Sequence, residues 1–326
     1  MLRVAVLAVW VLGAHSGPAL ASDAEPSRLD QRLAELRRVA AQLEQSPLQL
    51  PVHIESEQTR DRLRGDVYSI VEQPFDAVAI ALTSPDSWCE ILPVQFNVKA
   101  CTHGEAGRAD QRRRDDASAR QRLLTLYIGR KFYQEPEAAH PLPLDFEVVH
   151  AAEDRLEIVL RSENGPLGTR NYALAVTAVP LEPERTLTHV SYAYEYGLMS
   201  QVAMFAYLKT LGRKRVGFTV VGMDSEDRPI HVGGMQGVIE RNAMRYHLAV
   251  QAYLDTLGNS ETERFERRIE RWFDLTSAYP EQLFEMERDE YLDTKRRERA
   301  EQERLQRAID SAFHHPVAST PAAATP

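Results

Sequence analysis

His189 and Ser191 stand two positions apart in an alternating stretch, where a hydrolase would need a base and a nucleophile. The surroundings do not support that chemistry. Nothing like a glycine-framed serine surrounds Ser191, and the sequence places no acid to orient the histidine. The same stretch supports a different reading. Tyr192, Tyr194 and Tyr196 fall on one strand face and His189, Ser191 and Glu195 on the other, because neighbouring strand side chains point oppositely. An aromatic face tipped with hydroxyls suits an amphipathic ligand, although core packing or a surface ladder would give the same pattern. Further along, Met235, Ile239, Tyr246 and Tyr253 recur at helical spacing with Asn242 and Arg245 beside them. In a cavity, one such polar group could fix the head of a lipid or sterol. Alternatively, Arg241 and Arg245 pair with Glu240 or with the acidic C-terminal region.

The expected ligand-binding set is therefore Tyr192, Tyr194, Tyr196, Ile239, Asn242, Tyr246 and Tyr253, with no catalytic residue, metal or cofactor. Cys89 and Cys101 are the two cysteines of the chain. In an oxidising compartment their spacing favours a disulfide over two free thiols. A metal site is disfavoured, because no second cysteine pair or paired histidines accompany them. Gly165-Pro166-Leu167-Gly168 reads as a turn and not a phosphate cradle, since no Lys-Ser/Thr pair follows. Gly212-Arg213-Lys214-Arg215 is either a solvated turn or an element making transient contact with an anionic membrane surface. A formal charge of -9 excludes a general nucleic-acid binder, which needs a basic field to release counterions.

The elements that must position these residues begin after an export signal. Arg3, the apolar run 4–12 and Ala19-Leu20-Ala21 predict a signal peptide over 1–21, cleaved after Ala21, and a periplasmic or extracellular protein. An uncleaved anchor is the alternative. Residues 22–64 hold a helix over 27–45, capped by Ser27 and carrying a narrow leucine seam, followed by a linker. The core is expected over 65–258. It starts with a strand at 66–71, a helix at 75–82 entered at Pro74, and a short helix from Pro85 carrying Trp88. Extended structure at 96–101 and a charged loop at 104–120 precede strands at 123–132, 144–150, 155–161, 169–179 and 186–196. Neighbouring strands with short turns imply an antiparallel sheet. A helix at 198–211, a strand at 216–221 and a long helix from Gly233-Gly234 to Gly258 complete the core. Residues 259–313 are dense in Glu and Arg and predict a charged helical extension lying on the surface, broken near Pro280. The low-complexity segment 314–326 predicts a disordered tail.

This order, with Pro74-Phe75 followed by Trp88, resembles the START-like helix-grip superfamily over about residues 65–257. Several stretches are also similar to an uncharacterised family of secreted proteobacterial proteins: Gly165-Pro166-Leu167-Gly168-Thr169-Arg170, Val216-Gly217-Phe218-Thr219, the run 239–246, Arg271-Trp272-Phe273 and Tyr291-Leu292. The first resemblance implies an α+β fold, an antiparallel sheet wrapped on a long C-terminal helix. It also implies binding of lipids, sterols or polyketides, with a minority of members catalysing cyclisation or hydrolysis. The expected function is periplasmic binding or transport of a hydrophobic or amphipathic ligand between sheet and closing helix. One rival is a cyclase- or hydrolase-type enzyme, which would need His189, Glu195 and Asn242 to converge in the cavity. The other is a structural or interaction protein acting through its C-terminal helices.

Overall fold

The computed structural model describes residues 38–40, 43, 46, 48, 50–104, 122–197 and 215–314. The expected signal segment, most of the 27–45 helix, the charged loop after Gly104, the 198–211 helix, Gly212 and the basic residues Arg213 and Lys214 lie outside them. So does the tail from residue 315 onward. Of the first helix, residues 38–40 and 43 are helical, and Ala40 and Leu43 pack on Ile70, Val179 and Leu187.

Eight strands form one antiparallel sheet: β1 (Val52–Gln58), β2 (Arg62–Val71), β3 (Val98–Gly104), β4 (Arg122–Ile128), β5 (His140–Ala152), β6 (Arg155–Asn164), β7 (Thr169–Glu182) and β8 (Arg185–Tyr196). Their spatial order is β1-β2-β8-β7-β6-β5-β4-β3. Two helices, α1 (Phe75–Thr83) and α2 (Pro85–Ile91), connect β2 to β3 from one edge region of the sheet to the other. Each is entered through a proline that lacks the N–H a helix start cannot use. Trp88 fixes the turn between them by donating its indole N–H to Leu82 O at 3.0 Å.

The closing helix α3 (Gly234–Asp255) packs on β1, β2 and β8. Gly65 makes that approach possible, for a Cβ there would stand 3.0 Å from both Ala243 Cβ and Ile239 O. Strand, two helices, antiparallel meander and closing helix give an α+β helix-grip arrangement.

Three regions depart from the sequence reading. The expected linker before residue 65 contains β1 and the start of β2, which pair from Val52↔Ser69 to Gln58↔Leu63. As an edge strand, β1 buries Val52 and Ile54 and is otherwise largely polar and open to solvent, so no period stands out. The strand expected at 216–221 is displaced. β9 (Val220–Met223) and β10 (Pro229–His231) form a separate hairpin, and residues 215–219 are not a strand. The cause is Glu240, whose carboxylate takes the amides of Phe218 and Thr219 that a ladder would have used.

The third region is the C-terminal extension, which forms α4 (Glu261–Ser277), α5 (Pro280–Leu283) and α6 (Arg288–His314). It does more than lie on the surface. Trp272 and Tyr291 are fully buried against Phe96, with ring centroids 5.0 and 5.4 Å away. Glu298 on α6 lies between two buried lysines, accepting from Lys99 Nζ and Lys295 Nζ at 2.7 Å each. The lysines spend their remaining donors on carbonyls, Lys99 on Phe96 and Phe132, Lys295 on Gln95 and Val98. Buried charges survive only when satisfied this completely. Next to this cluster α6 covers the open edge of β3. Gln302 and Gln306 accept the Cys101 and His103 amides, a device that blocks edge pairing with another chain. A disulfide joins Cys89 on α2 to Cys101 on β3 at the same place, with Gln302 also donating to Cys89 O. Among the described residues no helix is long and apolar enough to cross a membrane.

Candidate functional site

Strand alternation and register decide which side chains face α3. On β8, Thr188, Val190, Tyr192, Tyr194 and Tyr196 turn toward the closing helix, and pairing of Leu174 with Tyr192 brings the same face of β7 alongside. The concave side of the sheet does not close on the helix. A cavity of about 500 Å³ remains between them. Leu126 and Ile128 of β4, Leu142 and Leu144 of β5, and Leu160 of β6 form an aliphatic wall. Opposite stand the aromatic side chains Tyr172, Tyr192, Tyr194 and Tyr196. Met235, Val238, Asn242 and Tyr246 of α3 form the roof. The volume lies within the range of sites that enclose small organic molecules, and the walls have their apolar character.

The tyrosines form one connected set. Tyr172 stacks on Tyr194 with centroids 5.3 Å apart, and Tyr192 lies 4.7 Å from Tyr246 across the gap between sheet and helix. Burial pushes the Tyr246 hydroxyl up to about 12 and raises that of Tyr192 well above the ordinary tyrosine value, so both remain neutral. Two others are tied at the ends: Tyr196 Oη donates to Thr59 O at 3.0 Å, and Tyr172 Oη lies 2.7 Å from Thr169 Oγ1. Gly165 makes room for Tyr172, since a Cβ there would fall 2.2 Å from its Cε2. The result is a fixed aromatic wall with few free polar atoms.

Five of the seven expected ligand residues meet in this cavity: Tyr192, Tyr194, Tyr196, Asn242 and Tyr246. Ile239 and Tyr253 do not. Ile239 is fully buried where α3 approaches Gly65, and Val238 takes the lining position. Tyr253 shares a helix face with Asn242 and Tyr246 but lies two turns farther on, about 10 Å beyond Tyr246 along the axis. It donates instead to Ser87 Oγ at 2.9 Å and lies under the Arg268 guanidinium.

His189 and Glu195 lie on the opposite face of β8 from the tyrosines, outside the cavity. The sequence showed no acid for His189, and here the structure corrects it. Asp66 Oδ1 is 2.7 Å from His189 Nε2, and Tyr68 stacks on the imidazole with centroids 4.4 Å apart. Burial alone would raise the Asp66 carboxyl, but hydrogen bonds from His189 and Arg64 hold it at about 2. Ser191 Oγ accepts from Arg64 Nε at 3.2 Å. That contact occupies the serine with a guanidinium, so the group is a structural network and not a nucleophile–base pair.

Neither a protein-family model nor a curated protein matches the chain. Solved structures similar to it include human StAR-related lipid transfer protein 5, at 10% identity, covering 55% of this chain and 90% of that one, TM-score 0.29. A START superfamily protein from Mycobacterium smegmatis matches at 19% identity over 47% of this chain and 92% of that one, TM-score 0.26. An aromatase/cyclase from Streptomyces sp. R1128 matches at 11% identity over 46% and 73%, TM-score 0.29.

Sequence reasoning missed two kinds of lining residue. Tyr172 carries a readable signal, because a hairpin joining β7 to β8 puts it beside the tyrosine triplet. Lys131 carries none. It follows β4 in irregular chain, and long-range contacts fix its place: Lys99 Nζ donates to the neighbouring Phe132 O, and Lys131 itself pairs with Glu285.

Proposed function

We propose that this chain is an exported binding or carrier protein that holds a hydrophobic or amphipathic small molecule between its sheet and closing helix. The single observation that carries the reading is the cavity of about 500 Å³, lined mainly by aliphatic and tyrosine side chains and open to solvent on one side. A core meant only for stability would be filled, because empty apolar space forfeits contacts on every side. The enzyme alternative needed His189 and Glu195 inside, and both face away. Release from the inner membrane after Ala21 and work in the periplasm belong to the same proposal, supported by the N-terminal sequence pattern.

The test uses the environment-sensitive apolar dye N-phenyl-1-naphthylamine and the full mature chain. Saturable fluorescence enhancement is expected, and Leu144→Trp, which places an indole in the cavity, should abolish it. Absence of saturable uptake, or equal uptake by a folded Leu144→Trp chain, would defeat the proposal.

A further inference from the structure

The roof of the cavity adjoins a cluster of charges. Glu285, only 7% exposed, lies between α5 and α6 and is shared by three cations from three other segments. Lys131 Nζ is 2.6 Å from Glu285 Oε1, Arg245 Nη2 is 2.5 Å from the same oxygen, and Arg215 Nη2 is 3.4 Å from Oε2. Among the described residues Lys131, Arg245 and Arg215 thus meet at one carboxylate, on a chain whose formal charge is -9. Lys131 lines the cavity while its side chain is 46% exposed, so it stands where the apolar space meets solvent. Asn242, also in the lining, lies one turn before Arg245 on α3 and adds an amide to the same region.

Resting on the binding function proposed above, we infer that the ligand is an anionic amphiphile, a molecule with an apolar body and a carboxylate or phosphate head, and that Lys131 receives the head. The apolar body fills the space between the aliphatic wall and the tyrosines. The head reaches Lys131 and Asn242, where it meets an ammonium at the edge of the apolar space. The state of Lys131 agrees. Burial, then the nearby Arg245, lower its ammonium from the ordinary lysine value, and Glu285 only partly restores it. An anion beside Lys131 would favour its charged form further. A purely structural ion pair would tie α3 to the C-terminal helices without discriminating between ligands.

Calorimetric titration of the full mature chain with decanoate, decanol and decyltrimethylammonium, each below its micelle concentration, separates these cases. Decanoate should bind about tenfold more tightly than decanol at low salt, with the cationic chain weakest. Lys131→Met should bring the decanoate-to-decanol ratio close to one, and Lys131→Arg should keep the preference. A ratio of one in the native chain, or an unchanged ratio in a folded Lys131→Met chain, would overturn the inference while leaving cavity binding intact. Failure of all three probes to bind would overturn the binding function itself, and the inference with it.

Discussion

Glu240 offers the sharpest mutational test of how the closing helix is held. It is fully buried on α3, and four donors converge on its carboxylate. Oε1 accepts from Ser56 Oγ at 2.6 Å and Thr219 Oγ1 at 2.7 Å; Oε2 accepts from the amides of Phe218 at 2.6 Å and Thr219 at 2.9 Å. One side chain thus fastens the helix to strand β1 and to the segment that leads into the β9–β10 hairpin. Gly217 is part of the same fit, because a Cβ there would lie 2.5 Å from Glu240 Oε2. In Glu240→Gln the shape is kept, but one oxygen becomes an NH2. The NH2 can turn toward the Ser56 and Thr219 hydroxyls, which rotate to accept from it, so the four contacts persist without the charge that strengthens them. Charge-assisted hydrogen bonds exceed neutral ones by about 1 kcal/mol each, so weakening four of them should destabilise the fold by roughly 3–5 kcal/mol. Urea unfolding gives the total, and hydrogen exchange at the Phe218 and Thr219 amides locates it. A loss below about 1 kcal/mol, with both amides still protected, would refute the assignment of Glu240 as the fastening point.

Other perturbations test the framework around the cavity. Burial depresses the His247 imidazole to about 4, so its contribution, roughly 3 kcal/mol, is complete above its ordinary value and disappears as pH falls from ~6.5 through ~4. Asp66, held at about 2, adds a second loss at still lower pH, below the ordinary carboxylate range. Urea midpoints measured against pH should show this order, and His247→Gln should flatten the first limb. Glu298→Ala strands Lys99 and Lys295 in the core and should cost about 3–5 kcal/mol near neutrality. The deficit should shrink at alkaline pH, since burial has already brought Lys295 down to about 8 and both lysines can then bury as neutral amines. A deficit independent of pH would contradict the charge argument. Replacing both Cys89 and Cys101 by Ser opens a link spanning 12 positions and should lower stability by about 3 kcal/mol, a loss that reductant should reproduce in the native chain.

The strands and the closing helix could be read from the sequence because period is a local signal, and burial on one face imposes it. β8 illustrates this: alternation alone put three tyrosines on one side and His189 on the other. Position along an element is not periodic, and so Tyr253 was grouped with residues lying two turns away. Edge strands weaken the signal, as β1 does, and a buried charge can override it, as Glu240 does at Phe218. Pairing between distant charges left no trace at all. His189 and Asp66 are separated by 123 positions, Lys99 and Glu298 by 199. Of the α3 arginines, Arg245 reaches an acidic residue of the C-terminal region, Glu285, as expected, and Arg241 donates to Val216 O among its contacts. These contacts also make the C-terminal helices part of the core. Deleting residues 259–326 would remove Trp272, Tyr291 and Glu298 and leave Phe96 and Lys99 uncovered, so loss of ligand uptake after that deletion would not separate a carrier from an interaction module.

Native mass spectrometry of the mature chain, purified without detergent from a host that exports it, bears most directly on the cavity. The account predicts a discrete bound mass, or uptake of one equivalent of an added amphiphile, and its loss in Leu144→Trp. A chain that flies bare and accepts no amphiphile, or a Leu144→Trp chain that carries the same adduct, would contradict it.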